Sequence, residues 1–176
     1  MLQAWDEFKK DKRNKLDVQQ FEFRLEDNLF ALQCEIATRT YQHGEYYPFR
    51  IRDPKPRLIH KALVRDRIVH HLLFRALEPI FEPTFIHHSY SCRRDKGTHK
   101  GVAALATMAR ATQQRYGKCF ALKCDIAKFF HSIDHTILID IISKKVVDAD
   151  VLWLIRAVVN SFSTNHNPAG FARERE

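Results

Sequence analysis

Cysteine is scarce: Cys34, Cys92, Cys119 and Cys124 are the only four in 176 residues, and they form no CxxC pair and no even ladder. That excludes a disulfide scaffold and a zinc ribbon, and reads as a reduced, cytoplasmic protein. Glycine (5) and proline (6) are also few, so the chain is neither collagenous nor a flexible linker. It has no internal repeat, no low-complexity tract and no apolar run long enough to span a bilayer. The start, Met1 to Glu7, lacks an apolar signal core. What is there is ordinary for a folded protein: 45% hydrophobic and 28% charged residues, which excludes a disordered chain. The length fits one domain or a little more.

The net charge of +8 is unevenly placed. Residues 1–49 carry −2, residues 50–110 carry +8 and residues 111–176 carry +2. A local basic excess is the footprint of a polyanion partner; the alternative is a solvated basic face without a ligand.

Val18, Phe21, Leu25, Leu29, Leu32 and Ile36 recur at spacings of three and four, which predicts one helix from about Leu16 to Thr40. A shorter helix around Trp5–Lys12 precedes it, and Gly44 ends the pattern. Tyr46 to Arg52 alternates and is rich in aromatics, Asp53-Pro54-Lys55-Pro56 is a turn, and Arg57 to His60 is a return strand. Together they predict a β-hairpin carrying Arg50, Arg52, Lys55 and Arg57. Ile68, Leu72, Leu73, Ala76, Leu77 and Ile80 make a helical stripe that ends near Pro83. Gly97-Thr98-His99 precedes a further helix through Val102, Leu105 and Ala109 to about Gln114. Cys119 to Ile126 is the clearest strand, with Phe120, Leu122, Cys124 and Ile126 on one face and Ala121, Lys123 and Asp125 on the other. Two helices follow, about Ile133–Lys144 and Asp150–Phe162. The class is α+β.

Asp125 closes an otherwise apolar strand, where an unpartnered buried charge is very costly. It either pairs with a base such as Lys123 or Lys128 or binds a divalent cation, since Mg²⁺ takes oxygen ligands from one or two carboxylates plus substrate phosphates. At the head of its helix, Asp66 is expected to satisfy free backbone N–H groups and Arg67 to pair with an acid. His131 and His135 share a helix face and His70 and His71 are adjacent, but no third ligand stands at zinc spacing.

Phe120 to His135 resembles the first palm motif of reverse transcriptases, best that of the bacterial retroelement group (retrons, group II introns and diversity-generating retroelements). Three more stretches are similar to the same family, in its order. Arg50 to Arg57 resembles the fingers hairpin. Arg65-Asp66-Arg67-Ile68-Val69-His70-His71 resembles the first fingers motif, and His87 to His99 the "SYxCRxGKGTH" stretch. The resemblance covers about Leu16 to Phe162. It implies a right-hand polymerase, mostly helical, with the fingers hairpin, one palm strand and an incomplete palm. The segments would be an N-terminal helical part (1–44), fingers (45–115) and a partial palm (116–176).

The resemblance implies a two-metal nucleotidyl transfer with two Mg²⁺ ions in the full-length enzyme, one of their ligands being Asp125. Phe130 would lie beneath the sugar of the incoming nucleotide, while one of Phe129 and Phe130 is expected to pack in the core. Arg57 matches the triphosphate-contacting arginine, and Arg50, Arg52 or Lys55 either adds a second contact or forms a solvated basic tip. Arg93, Arg94, Lys96 and Lys100 are expected to grip template or primer phosphates, which positions a strand without reading its sequence. The partners implied are an RNA template, a DNA or RNA primer and dNTPs. Depending on the element type, the resemblance adds a structured element-encoded RNA or a basic accessory protein to these, and no membrane is implied.

Two features depart from the family. His131 replaces an acidic residue in the text that normally reads "DSIDH". More seriously, the chain contains no Asp-Asp pair, so the aromatic-x-Asp-Asp turn is missing, as is the "GxPxG" loop. Asp148 and Asp150 flank Ala149 at a helix start rather than in a hairpin. The expectation is an N-terminal fragment of a reverse transcriptase, inactive alone. The alternatives are a non-catalytic RNA-binding module that keeps the basic fingers surface, and a poorly folding remnant with exposed apolar surface.

Overall fold

The computed structural model describes residues 1–53, 55–127 and 129–162, excepting the side chain of His131. The expectations for Pro54 in the hairpin turn, Lys128 as a partner of Asp125, the His131 side chain and the stretch from residue 163 lie outside the described residues. Two compact units are present: Met1–Leu77 together with the chain from Ile133 onward, and Glu78–Ser132. Their bounds follow compactness, whereas the segments beginning at 45 and 116 follow motifs.

The first unit holds most of the core. Helix α1 (Leu2–Phe8) buries Ala4, Trp5 and Phe8. The long helix expected from Leu16 to Thr40 is two helices, α2 (Leu16–Phe23) and α3 (Leu25–Ala37), separated by Arg24 at φ −125° and ψ 48°. The break has a local cause. The Asn28 side chain donates to the Phe21 carbonyl at 2.9 Å, satisfying an acceptor at the end of α2 from outside the helix ladder. The apolar stripe survives the break, because Val18, Leu29 and Leu32 are buried and Phe21, Leu25 and Ile36 pack against them.

The hairpin forms as expected, β1 (Tyr47–Arg52) antiparallel to β2 (Pro56–Lys61), with Tyr47 opposite Lys61 and Arg52 opposite Pro56. Helix α4 (Val64–Phe81) buries Val64, Asp66, Ile68, Val69 and Leu73 and carries Pro79 internally. Helix α7 (His135–Ser143) is capped by Asp134, which accepts from the Ile137 N–H. Helix α8 (Ala149–Val159) is capped by Asp148, which accepts from the Asp150 and Val151 N–H groups, and it adds Leu154 and Ile155 to the core. Helices α1 to α4 and α8 thus enclose one hydrophobic cluster around Trp5, Phe8, Leu32 and Ile68.

The second unit is lightly packed. A 3₁₀ turn (Glu82–Thr84) leads through a loop to α5 (Thr98–Tyr116), which has no buried residue. Gly117 ends α5 at φ 70°, in the left-handed region where a side chain is strained, and its N–H returns to the Gln113 carbonyl at 2.8 Å. A four-residue helix, α6 (Phe129–Ser132), closes the unit.

The palm strand is a correction. Residues 119–126 form no strand, and the sheet described has two strands, β1 and β2. The alternation is real, but a strand is held by a ladder to a neighbour, and no described segment pairs with this one. Phe120 and Leu122 are each 90% exposed as a result. The described protein is therefore mainly helical with one two-stranded antiparallel sheet, an α+β arrangement.

Candidate nucleic-acid interface

Three groups of residues singled out by sequence lie at three places, and a fourth group emerges only from the packing. The hairpin comes first. Directly paired residues of antiparallel strands point to the same face, and faces alternate along each strand. Ile51 is opposite Arg57, and Arg50 is opposite Leu58. Arg57 therefore shares a face with Tyr47, Phe49 and Ile51, while Arg50 and Arg52 occupy the other face. All three arginines are exposed. One ligand lying flat on one face meets Arg57 or the Arg50–Arg52 pair, not all three.

The second group builds its own loop. The Arg93 Nε donates to Glu82 Oε1 and Oε2 at 2.9 and 3.1 Å, its Nη1 donates to the Ile86 and Ser89 carbonyls at 3.0 Å each, and its Nη2 lies 2.7 Å from Glu82 Oε1. The guanidinium also lies over the Phe85 ring. Hydrogen bonding from Arg93 holds the Glu82 carboxyl below its ordinary range. Lys96 Nζ donates to the His87 carbonyl at 2.9 Å and sits over the Tyr90 ring, and Lys100 Nζ donates to the Asp95 carbonyl at 2.6 Å. Arg94 pairs with Glu78 but is 77% exposed at its side chain, against 11% for Arg93. Arg93 ties the loop together; Arg94 and Lys100 face solvent.

Asp125, the third, is exposed and has no hydrogen bond or ion pair among the described residues. Lys123 is not its partner. Among the described residues no group of three or more His, Cys, Asp or Glu side chains is placed to hold a metal ion. Asp125 thus offers one hard oxygen ligand, compatible with Mg²⁺ only as part of a larger set. Phe129 and Phe130 meet edge to face at 5.3 Å, and both are exposed, at 48% and 83%. Neither is in a core, contrary to the expectation for one of them, because the segment before them is uncovered.

The fourth group surrounds Asp66, which is fully buried. Its carboxylate accepts from the Tyr41 hydroxyl at 2.8 Å and the Gly44 N–H at 3.1 Å. Its role is structural, yet the N–H it satisfies belongs to the incoming chain and not to the head of its own helix. A Cβ on Gly44 would stand 2.6 Å from Leu63 Cδ1 and 3.0 Å from Asp66 Oδ2, so glycine is what lets the backbone reach the carboxylate. His43 Nδ1 donates to the Gly44 carbonyl at 2.7 Å, which leaves its Nε2 to accept from His70 Nε2 at 3.1 Å. Burial, then the neighbouring His43, push the His70 pKa below its ordinary value. Burial and the hydrogen bond to Asp66 push the Tyr41 hydroxyl up.

Ion pairs also sort the charge. Arg65 pairs with Glu35, Arg67 with Asp17 and Arg75 with Glu7. Burial would raise the Asp17 carboxyl, but hydrogen bonds from Lys61 and Arg67 hold it below its ordinary value. Acids of the first 49 residues thus neutralise the arginines of α4, and the exposed cations of residues 50–110 lie on the hairpin, in the loop at 94–100 and at Arg110.

No protein-family model matches the chain. It is 24% identical over 132 residues to Protein YkfC of Escherichia coli, covering 71% of this chain and 34% of that protein. It is 31% identical over 97 residues to an uncharacterized 91 kDa protein in the cob intron of Schizosaccharomyces pombe, covering 55% of this chain and 11% of that protein. The chain spans about a third or less of the length of the curated relatives it matches. Over 98 residues, or 55% of this chain and 13% of the relative, it is 28% identical to the Arabidopsis thaliana protein named nuclear intron maturase 1, mitochondrial, so its similarity runs to proteins of introns.

Proposed function

We propose that this chain is the front portion of a retroelement-type RNA-directed DNA polymerase, with the hairpin and the loop at 87–99 as fingers and the segment around Asp125 as the start of the palm. The observation that carries the reading is the run of four motifs in the family's order, in a chain similar to an intron maturase and to a protein in an intron. In the complete enzyme Asp125 would supply one of the carboxylates that hold Mg²⁺, whose chemistry there would be activation of a primer hydroxyl and stabilisation of the leaving pyrophosphate. Phe130 lies beneath the nucleotide sugar, and Arg57 meets the triphosphate from one face of the hairpin while Arg50 and Arg52 serve the other. Arg94, Lys96 and Lys100 bear on template or primer phosphates, and Arg93 shapes the loop that presents them.

A second reading, RNA binding without polymerisation, is supported by the exposed basic residues of the hairpin and of the loop at 94–100. Both readings require an RNA partner. Binding of an unstructured single-stranded RNA is measured by fluorescence anisotropy at rising salt. With four phosphate contacts the log–log slope is about −3, and Arg94→Ala or Lys100→Ala flattens it by about 0.7 each. A shallow slope that neither change moves would sink both readings.

A further inference from the structure

A cavity of about 520 Å³ lies in the first unit, between α2, α3 and the root of the hairpin. No motif singled out by the sequence accounts for it. We propose that it is a subsite for one unstacked nucleobase of a single-stranded RNA, an inference that rests on the RNA-binding reading above. Its volume falls within the range of small-ligand pockets. Two aromatic rings line it: Tyr47, 69% exposed on β1, and the half-buried Phe21 of α2. Unpaired RNA bases are characteristically held by stacking on such rings and by hydrogen bonds to their edges.

The polar groups around the rings match that chemistry. Asn28 donates to the Phe21 carbonyl, and this fixes its amide with the oxygen left to accept. The Gln20 amide and the Tyr47 hydroxyl have no hydrogen-bond partner among the described residues. The cavity thus offers an acceptor, an amide able to both donate and accept, and a hydroxyl, among the same lining residues as the two rings. Lys61 and Arg65 stand on the same rim, paired with Asp17 and Glu35, and Asp17 also lines the cavity, so the rim is charge-balanced and recognition rests on the rings and the uncharged polar groups. An apolar ligand would leave these polar groups desolvated and unmatched, and a free anion would have no use for the two rings.

The test uses the full chain with an unstructured RNA oligonucleotide carrying 4-thiouridine. Crosslinked peptides are mapped, and affinity is measured for Tyr47→Ala, Tyr47→Phe and Gln20→Ala. The expected result is a crosslink to the peptides holding Phe21 or Tyr47, about tenfold weaker binding for Tyr47→Ala, and a smaller loss for Tyr47→Phe, which keeps the ring and removes only the hydroxyl. Gln20→Ala, an exposed change, gives a smaller loss and keeps the test valid if Tyr47→Ala alters the hairpin. RNA that binds with a steep salt slope but crosslinks elsewhere, with Tyr47→Ala and Gln20→Ala both silent, overturns the subsite and leaves the RNA-binding reading standing. Failure to bind RNA at low salt overturns both.

Discussion

At the residue scale, two charged side chains do their work inside the protein. Asp66 holds Tyr41 and Gly44 against α4 from a fully buried position. Asp66→Ala leaves those donors without an acceptor, and chemical denaturation should show a loss of about 3 kcal/mol; Tyr41→Phe, which removes one bond, should cost about 1 kcal/mol. Arg93→Ala unties the loop between Glu82 and Gly97, so it should increase proteolysis there and weaken RNA binding, while Arg94→Ala weakens binding with the loop still resistant. His70 sets a pH dependence. Its pKa in the folded protein lies below 6.5, so the unfolded chain takes up the proton first as pH falls. Stability is full above pH 6.5 and declines as pH drops through 6.5 toward the folded-state value. Urea midpoints across that range should show the decline, and His70→Gln should flatten it. A second contribution of the same sign comes from His71, lowered by burial and then by Lys12.

At the scale of elements, the residues 119–126 are the instructive case. Their period-two pattern is legible in sequence, and it states which side must be covered, not that a neighbour exists to cover it. With Phe120 and Leu122 each 90% exposed and Phe130 83% exposed, the chain should bind a hydrophobic dye and self-associate. Phe120→Ser with Leu122→Ser should reduce both, measured by dye fluorescence and light scattering, with little change in the denaturation midpoint because neither side chain is in the core. The hairpin shows the opposite balance. Its existence could be read from aromatic alternation and two prolines, whereas the separation of Arg57 from Arg50 and Arg52 follows from the register, which sequence leaves open. The break at Arg24 escaped the periodicity, because an apolar stripe can continue across two helices when a side chain such as Asn28 takes over a carbonyl.

At the scale of the whole molecule, +8 is the sum of two different populations of charge. The α4 arginines face acids from the first 49 residues, and the hairpin and the loop at 94–100 face solvent. The 176-residue chain is expected to give no primer extension with Mg²⁺ or Mn²⁺, since it lacks an Asp-Asp pair; template-dependent synthesis by the purified protein would overturn that. No helix among the described residues is long and apolar enough to cross a membrane. Composition, periodicity and motif order by themselves determined most of the helical stretches, the hairpin and the residues to examine, because those depend on spacing along one chain. The tertiary structure decided which arginines are neutralised, why Asp66 is buried, and that Phe21, Tyr47, Gln20 and Asn28 surround one cavity. Those facts depend on residues far apart in sequence meeting in space, and no local pattern encodes such a meeting.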